Sequence, residues 1–477
     1  MITKRSLNEN LLQAQYAVRG PIVTRAQQLE EQGQKIIYCN IGNPQAFNQR
    51  PLSYLRQTLS LLEYPELLRS PATMKLYPRD IIERAKIILA RHPDGIGAYT
   101  QSTGIPFIRE AVAEFIRKRD EIPANKDRII LTDGASKGVQ AVLLALLQSP
   151  NAGFMIPVPQ YPLYSASITL FGGKEIRYYV DEESSWQLNE EILTQSINKA
   201  RSEGVRPVAI VVINPGNPTG SVLTNDNIRM IIGFAEKHHL SILADEVYQE
   251  NIYDKNRKFL SFAKAMHDLK AAEIPLFSLH SVSKGFLGEC GHRGGYLELR
   301  NISDEVMSEF VKLQSINLCS NVAGQIAVYL MVSPPTPGDE SYETYIGERD
   351  AILSSLKSKT EILGSGINQI EGMSLNMPQG ALYAFVRFRL PPEKDIDVAT
   401  MNPEERLAYE SKRDFDYCLA LLEETGICVV PGSGFGQLPG TLHFRITFLP
   451  SHDEIGQLVV KLKEFHENYI RAESVTS

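Results

Sequence analysis

The sequence predicts an α/β protein with two parts: a large domain, whose mostly parallel sheet is covered by helices, and a smaller α+β domain. Three observations lead to this prediction. The chain has 477 residues, more than a single domain of ordinary size holds. Short apolar runs alternate with helical segments between about residues 100 and 330. A proline-rich stretch then interrupts the pattern at 333–339.

The first part, residues 1–90, is predicted to be mainly helical. Residues 80–89 place apolar side chains at helical spacing, and residues 41–44 (Ile-Gly-Asn-Pro) have the composition of a turn. We expect this part to form an N-terminal arm and a portion of the small domain, with its helices packed on that domain or on a second subunit.

The second part, residues 91–335, has the pattern expected of the large domain. Its short runs are apolar throughout, which is typical of parallel strands buried on both faces. The predicted strands are residues 128–132, 153–157, 208–213 and 241–245. A helix is predicted over 139–147, directly after the first strand and a turn of small residues.

The third part, residues 336–477, is predicted to form the smaller domain. It begins near the proline-rich stretch 333–339 and continues with a long helical segment. Strand signals follow at 381–386 and 443–447. The segment 432–437 lacks the final glycine of a dinucleotide-binding fingerprint, so we interpret it as a turn close to Arg445.

Composition and charge exclude several classes of function. Apolar residues make up 43% of the chain, and 49 basic against 56 acidic residues give a net charge of −7. This balance argues against nucleic-acid binding, and no run approaches the roughly 18 apolar residues of a membrane span. Five scattered cysteines and an N-terminus without an apolar segment predict a reduced, cytoplasmic protein. His238 and His239 lack partner ligands at metal spacing, so no metal is expected.

Polar segments follow four apolar runs, at the positions where open α/β sheets bind ligands. Segment 132–138 (TDGASKG) joins a strand to a helix, and its small residues let backbone N–H groups approach an anion. Segment 214–220 (NPGNPTG) follows the 208–213 strand, and Asp245 ends the next one. Lys284 lies in the fourth segment, 281–286 (SVSKGF), with Arg293 among glycines downstream.

Each of these segments also has a purely structural interpretation. The first two could be plain turns, in which Ser136 caps a helix and Asn217 is a turn residue. A buried Asp245 needs a cation or a protonated nitrogen, and a salt bridge satisfies that need as well as a ligand does. Lys284 could be solvated, or it could be an amine that loses its proton readily and forms a Schiff base.

The order of the motifs resembles that of the class I aminotransferases of fold type I, which depend on pyridoxal phosphate. The matching motifs are Asn-Pro-x-Asn-Pro-Thr-Gly at 214–220, Asp-Glu-x-Tyr at 245–248 and Ser-x-Ser-Lys-Gly at 281–285, with Arg293 downstream. Segments 62–68, 97–100, 288–296 and 333–342 look like those of the alanine aminotransferases, and the likeness covers nearly the whole chain. It implies ping-pong conversion of L-alanine and 2-oxoglutarate into pyruvate and L-glutamate.

The resemblance implies a role for each matching residue. Lys284 would bind the cofactor as an aldimine and then serve as the base, and Asp245 would keep the pyridine nitrogen protonated. Tyr248 and Asn217 would donate hydrogen bonds to the phenolate oxygen. Tyr161 would stack on the pyridine ring. The phosphate would be held by the following residues: Ala135, Ser136, Ser281, Ser283, Arg293 and, across a dimer interface, Tyr99.

The resemblance also implies how the substrate binds and how the chain assembles. Arg445 would hold the α-carboxylate as a bidentate clamp, and Asn217 would also bind the substrate. Gly42 would close over the substrate from the N-terminal segment, although a plain turn glycine explains it equally well. Because Tyr99 would reach the other subunit's phosphate, a homodimer with shared active sites is expected. Its other partners would be small amino acids and 2-oxo acids.

Three alternatives to this activity share most of these residues. The chain could be another class I aminotransferase, specific for aspartate or of broad range. It could be a lyase or cyclase of the same fold, which would also use Lys284, Asp245 and Arg445. It could also be a binding or regulatory protein that keeps the fold without the chemistry, but an intact Lys284 with all its neighbours argues against that.

Overall fold

The computed structural model describes residues 2–16, 18, 20–391, 393 and 396–476. Its α-helices are α1 (Glu9–Gln13), α2 (Pro21–Glu31), α3 (Ser53–Glu63), α4 (Thr73–Leu76), α5 (Arg79–Arg91), α6 (Pro106–Asp120), α7 (Ala135–Leu146), α8 (Leu163–Leu170), α9 (Glu190–Ser202), α10 (Asn225–His238), α11 (Phe262–Leu269), α12 (Asp304–Ile316), α13 (Val322–Val332), α14 (Tyr342–Ile367), α15 (Pro403–Thr425) and α16 (His452–Thr476). Within the described residues, no helix combines the length and apolar composition of a membrane crossing.

The strands form one large and two smaller sheets. They are β1 (Ile37–Tyr38), β2 (Ile129–Thr132), β3 (Ala152–Val158), β4 (Lys174–Tyr179), β5 (Arg206–Ile213), β6 (Ser241–Asp245), β7 (Leu276–Ser281), β8 (Gly295–Arg300), β9 (Met373–Ser374), β10 (Tyr383–Phe388), β11 (Ile427–Cys428), β12 (Val430–Pro431) and β13 (Leu442–Thr447).

The large sheet has seven strands in the order β2-β8-β7-β6-β5-β3-β4. Strands β7, β6, β5, β3 and β4 pair in parallel, whereas β8 runs antiparallel to both β2 and β7. The carboxyl ends of β5, β6 and β7 therefore lie side by side at one edge of the sheet. The predicted fold class, a mostly parallel sheet with helices and a smaller α+β part, is confirmed.

The apolar runs are explained by burial of the large sheet on both faces. In β6, Ile242 and Ala244 pack in a core with residues of α9, α10 and α11. The residue between them, Leu243, enters a second core with residues of α7 and α8. Because successive side chains point to opposite faces, a strand covered on both sides has no position left for solvent-facing residues.

A four-stranded antiparallel sheet, β12-β13-β10-β9, packs in a separate core. The N-terminal part of the chain contributes to this core, since Ile22, Ala26 and Leu29 of α2 are buried in it. Strand β1 also pairs in parallel with β11. Farther along, α3 and α5 pack elsewhere, in a core that they share with α6 and α13.

Strand β10 begins at Tyr383, two residues later than the sequence predicts. Ala381 has a left-handed backbone conformation, with φ of 58°, which a strand cannot contain. The Ala381 N–H donates to the carbonyl oxygen of Asn251, and the Tyr253 hydroxyl donates to the Ala381 carbonyl oxygen. These contacts bend the chain just before the strand starts.

Candidate active site

A cup of hydrogen-bond donors forms where α7 begins. Ala135 and Ser136 are the first residues of this helix, so their N–H groups lack intrahelical partners and the helix dipole favours a negative charge there. Gly134 has φ of 74°, and a Cβ atom on it would lie 2.4 Å from Arg293 Nη2. Only glycine therefore lets the Arg293 guanidinium lie across the turn, where it donates to Ser136 Oγ at 3.2 Å.

The end of β7 adds two hydroxyls to the same cup. Ser281 is the last residue of β7, Ser283 follows two positions later, and both line the cavity beside Ser136. Strand β8 lies directly against the turn at Gly134, because a Cβ atom on Gly295, the first residue of β8, would lie only 2.9 Å from the Gly134 carbonyl carbon. Three hydroxyls, a guanidinium and a helix N-terminus are the donors that a phosphate dianion needs.

Asp245 is buried at the end of β6, with 6% of its surface exposed. The Tyr164 hydroxyl donates to Oδ2 at 2.7 Å, and the Val247 N–H donates to Oδ1 at 3.4 Å. Burial raises the pKa of Asp245, and the two hydrogen bonds and the charge of Lys284 act against that rise. Because Asp245 has no ion pair among the described residues, its carboxylate is available to a protonated nitrogen in the cavity.

Lys284 is half-buried in the loop after β7, and its amine points at the N-terminal segment. Nζ donates to the Gly42 carbonyl oxygen at 2.7 Å and lies 5.8 Å from the centre of the Tyr248 ring. A Cβ atom on Gly42 would lie 1.8 Å from the Tyr383 hydroxyl oxygen. Gly42 is therefore required for close approach of the N-terminal segment, which explains its residue type better than a turn does.

Two predicted tyrosines border the cavity. The Tyr161 hydroxyl lies 2.7 Å from that of Tyr16, and burial, together with Tyr16, raises the pKa of Tyr161. Tyr248 is 3% exposed and meets the Tyr383 ring edge-on, with ring centres 6.2 Å apart. Burial and the neighbouring Tyr383 also raise the pKa of Tyr248. Both hydroxyls therefore keep their protons at neutral pH and serve as hydrogen-bond donors.

Arg445 extends from the middle of β13 and is 1% exposed. Its guanidinium lies between two rings, 4.1 Å from the centre of Tyr383 and 4.5 Å from that of Phe435. Nη1 donates to Asn217 Oδ1 at 3.1 Å, and Nη2 donates to the Asn40 carbonyl oxygen. The Nε atom has no hydrogen-bond partner within the described part of the chain, so this cation still has a free donor.

Eleven of the predicted site residues line a single cavity of about 490 Å³. They are Gly42, Ala135, Ser136, Tyr161, Asn217, Asp245, Tyr248, Ser281, Ser283, Lys284 and Arg293. The cavity thus combines an anion cup, a buried carboxylate without a cation and an amine. These are the groups that the phosphate, the pyridine nitrogen and the aldehyde of pyridoxal phosphate require, so the residues fit this cofactor.

Two predicted residues lie outside the cavity lining. Arg445 is adjacent to it through Asn217 and Tyr383, which do line it. The turn at 432–437 lies next to Arg445, as predicted, because Phe435 stacks on the guanidinium. Tyr99 is 77% exposed and takes no part in the cup of its own chain.

Two tyrosines of the site are not among the residues predicted from the sequence. Tyr164 holds Asp245 from α8, and Tyr383 contacts both Arg445 and Tyr248 from β10. Tyr164 lies only three residues beyond the predicted Tyr161, and this proximity in the sequence is the signal that points to it. Tyr383 had no such signal, because its position depends on the pairing of β10 with β13. Among the described residues, no cluster of metal-ligating side chains could hold an ion.

Comparison with known proteins identifies the family. The model of the family "Aminotransferase class I and II" matches residues 71–462. A probable mitochondrial alanine aminotransferase of Dictyostelium discoideum is 46% identical over 485 residues, covering 98% of this chain and 89% of the relative. Glutamate–glyoxylate aminotransferase 2 of Arabidopsis thaliana is 45% identical over 468 residues, covering 98% of this chain and 96% of the relative.

A solved structure agrees with the sequence relatives. An aminotransferase from Escherichia coli superimposes with a TM-score of 0.77 at 25% identity, covering 98% of this chain and 99% of that one. The resemblance inferred from the motif order is thereby confirmed. The chain belongs to the class I and II aminotransferases, which are pyridoxal 5′-phosphate-dependent enzymes.

Proposed function

We propose that this protein transfers the amino group of L-alanine to 2-oxoglutarate and produces pyruvate and L-glutamate. One observation carries the proposal: an amine, a buried carboxylate and an anion cup share one cavity, with the guanidinium of Arg445 at its border. The relatives that bear the name alanine aminotransferase support this choice of substrates. Solved aspartate aminotransferases of Rhizobium meliloti and Thermotoga maritima match the chain at 21% and 19% identity and support the fold alone.

The cofactor would be held at its two ends. The cup at the start of α7 would bind the phosphate, and Asp245 would hold a proton on the pyridine nitrogen. Tyr161 would cover one face of the ring, while Tyr248 and Asn217 would donate to the phenolate oxygen. The bound cofactor supplies an electron sink for the negative charge that develops at the substrate Cα.

Lys284 would act as the base that moves the proton between the substrate Cα and C4′ of the cofactor. Its amine is half-buried and bonded to a carbonyl oxygen rather than to a carboxylate. Lys284 lines the same cavity as the cup and Asp245, and a general base must lie within reach of the proton that it moves. The Gly42 carbonyl oxygen accepts the hydrogen bond that holds this amine in the cavity.

Arg445 would bind the substrate α-carboxylate. The two rings that enclose it exclude water and fix the plane of the guanidinium, so a bidentate contact keeps its geometry. A carboxylate held in this way orients the Cα–H bond relative to the cofactor ring. Two N–H groups of the guanidinium would make this contact; in the structure Nη1 donates to Asn217, Nη2 donates to the Asn40 carbonyl oxygen, and Nε has no partner in the described part of the chain.

The decisive experiment separates the two half-reactions of the cofactor-loaded protein. With L-alanine alone, we expect about one pyruvate per active site and a change in the visible spectrum, and continuous turnover only after 2-oxoglutarate is added. Double-reciprocal plots of the initial rate against one substrate, measured at several fixed concentrations of the other substrate, should be parallel lines. Faster reaction with L-aspartate would contradict the proposal, and sustained product formation from a single amino acid would indicate a lyase or cyclase.

A second candidate is transfer of the amino group from L-glutamate to glyoxylate. It is favoured by the 45% identity over 98% of the chain to a relative named glutamate–glyoxylate aminotransferase. The same assay distinguishes the two, since glyoxylate can replace 2-oxoglutarate as the acceptor. A kcat/KM for glyoxylate above that for 2-oxoglutarate would favour the second candidate.

We also propose a homodimer in which Tyr99 reaches the partner's phosphate. Tyr99, Ile316 and Leu318 are apolar and largely exposed, at 77%, 75% and 52%. Their segments touch through the Ser315–Ser102 hydrogen bond. Three residues after Leu318, the Asn321 N–H donates to Asp133, which lies at the edge of the cup, so the exposed segment is connected to the cup. An exposed apolar patch beside an anion site is what a shared interface requires.

Mixed dimers test the position of Tyr99. We expect Tyr99→Phe to weaken cofactor binding by about 10–100-fold, because a hydrogen bond to a charged group is lost. In a hybrid of one Tyr99→Phe chain and one Lys284→Ala chain, the site with an intact lysine receives Tyr99 from its partner. This hybrid should bind cofactor at that site as the unmutated protein does. Weak binding in the hybrid, or a mass of one 53.3 kDa chain in solution, would contradict the shared site.

We further propose that the protein works in the cytoplasm. The support is that five cysteines, among them the buried Cys39, Cys418 and Cys428, are unpaired in the structure. Unpaired thiols suit a reducing compartment. Some relatives carry the word mitochondrial in their names, so fractionation of the source cells is the measurement that decides.

A further inference from the structure

The strand pair that carries Arg445 also makes a second polar contact. Pairing of β10 with β13 sets Phe385 opposite Arg445 and Arg387 opposite His443. Because side chains alternate across strands, these four residues share the face on which Arg445 meets Asn217. The intervening residues fill the core on the other face: Val386, Phe388, Phe444 and Ile446.

Glu182, which follows β4 of the seven-stranded sheet, reaches this face. Its carboxylate lies 3.2 Å from His443 Nε2 and accepts a hydrogen bond from Arg387 Nη1 at 3.3 Å. The side chains of His443 and Glu182 are only 2% and 16% exposed, so the contact is shielded from water. We name Glu182, His443 and Arg387 the clasp, because they join the two sheets.

A line of aromatic rings leads from the clasp to Arg445. His443 stacks on Phe385, with ring centres 4.6 Å apart and planes inclined by 7°. Phe385 meets Phe435 at 6.1 Å, and Phe435 covers the Arg445 guanidinium at 4.5 Å. Since closely packed rings cannot shift independently, a displacement of His443 is transmitted to the surroundings of Arg445.

His443 is also tied to the turn that carries Phe435. Its Nδ1 atom lies 3.1 Å from Gln437 Oε1, and Gln437 Nε2 donates to Asp414 Oδ2 at 3.0 Å. The same carboxylate accepts the Ser433 N–H at 2.7 Å. The Phe435 ring, which covers Arg445, and strand β13, which carries Arg445, are thus both held by groups that contact His443.

We propose that Glu182 is a positioning residue for the carboxylate site. By holding His443 and Arg387 from the other sheet, it fixes the strand and the rings between which the Arg445 guanidinium lies. The inference rests on the proposed function, because it takes Arg445 as the group that binds the substrate carboxylate. Glu182 itself touches neither substrate nor cofactor.

Glu182→Gln tests the proposal, with Glu183→Gln as a matched control. Glu183 also contacts Arg387, at 3.0 Å, but its side chain is 83% exposed and, among the described contacts, forms no hydrogen bond or ion pair with His443. Because Arg445 would bind the carboxylate and also orient the Cα–H bond, Glu182→Gln should raise KM for L-alanine and 2-oxoglutarate by about tenfold and lower kcat by a smaller factor. Glu183→Gln should change neither.

A binding measurement gives a readout besides activity. Trp186 is the only tryptophan of the chain and lies against the clasp, with ring centres 6.1 Å from His443. Propionate, a three-carbon monocarboxylate, serves as the probe, and its binding is followed by Trp186 fluorescence. We expect Kd for propionate to rise by about tenfold in Glu182→Gln and in His443→Gln, and to remain unchanged in Glu183→Gln.

The outcomes separate this inference from the proposed function. If Arg445→Lys abolishes propionate binding but Glu182→Gln and His443→Gln leave KM and Kd unchanged, the positioning role is wrong and the carboxylate site stands. If Arg445→Lys binds propionate as the unmutated protein does, the carboxylate site itself is wrong. Equal effects of Glu182→Gln and Glu183→Gln would also overturn the positioning role, because surface charge alone would then explain both.

Discussion

Replacing Lys284 by alanine is expected to lower kcat for L-alanine by about 10⁴-fold or more, because both the covalent partner of the cofactor and the base are lost. Cofactor should still bind, since the cup around Ser136 and Arg293 does not involve the lysine. Pyruvate formation measures the first effect. Cofactor released by alkali and quantified by absorbance measures the second.

Lys137→Ala is the matched control for this substitution. Lys137 follows Ser136 in α7 and is exposed, so it lies near the cup without lining the cavity. Its removal should leave kcat and cofactor content unchanged. If Lys284→Ala kept turnover within tenfold of the unmutated protein, another group would have to be the base. If Lys284→Ala lost both activity and cofactor, the cup would not be the principal phosphate site.

Much of the site could be predicted because it follows from local sequence and one topological rule. Apolar runs identify β5 and β6, and in a parallel sheet their carboxyl ends meet at one edge. Asn217 and Asp245 lie at these two ends and therefore share a cavity. The cup follows in the same way, since small residues at 134–136 open α7. Strand β7 is not among the strands that the sequence predicts, so only the motif Ser-x-Ser-Lys-Gly points to Lys284.

The contacts around Arg445 could not be predicted in this way. Gly42 and Tyr383 are more than 300 residues apart in the chain, yet the space beside the Tyr383 hydroxyl leaves no room for a side chain at residue 42. The pairing register sets Phe385 opposite Arg445, and a one-residue slip would turn the Tyr383 ring away from Arg445. Register depends on the packing of the whole four-stranded sheet, which no short motif encodes.

Asp245→Asn is expected to lower kcat by about 10²–10⁴-fold, the range that corresponds to losing one partner of a buried ion pair. An amide cannot balance the positive charge of a protonated pyridine nitrogen. The proton is therefore lost near neutral pH, and the ring accepts electrons less well. Cofactor content should change much less, because the phosphate cup lies on other elements. Single-turnover rates with L-alanine, together with bound cofactor per chain, measure both quantities.

Two comparisons show whether charge, rather than packing, accounts for this loss. Tyr164→Phe removes the 2.7 Å hydrogen bond to Asp245 but keeps the carboxylate. This substitution should lower kcat by about 10-fold to 100-fold, as expected for the loss of one hydrogen bond to a charged group. A cofactor analogue methylated on the pyridine nitrogen carries a permanent positive charge, so it should restore a large part of the rate in Asp245→Asn. If the methylated analogue gave no recovery while binding normally, the carboxylate would act by orienting the ring, and the assigned role in holding the proton would be wrong.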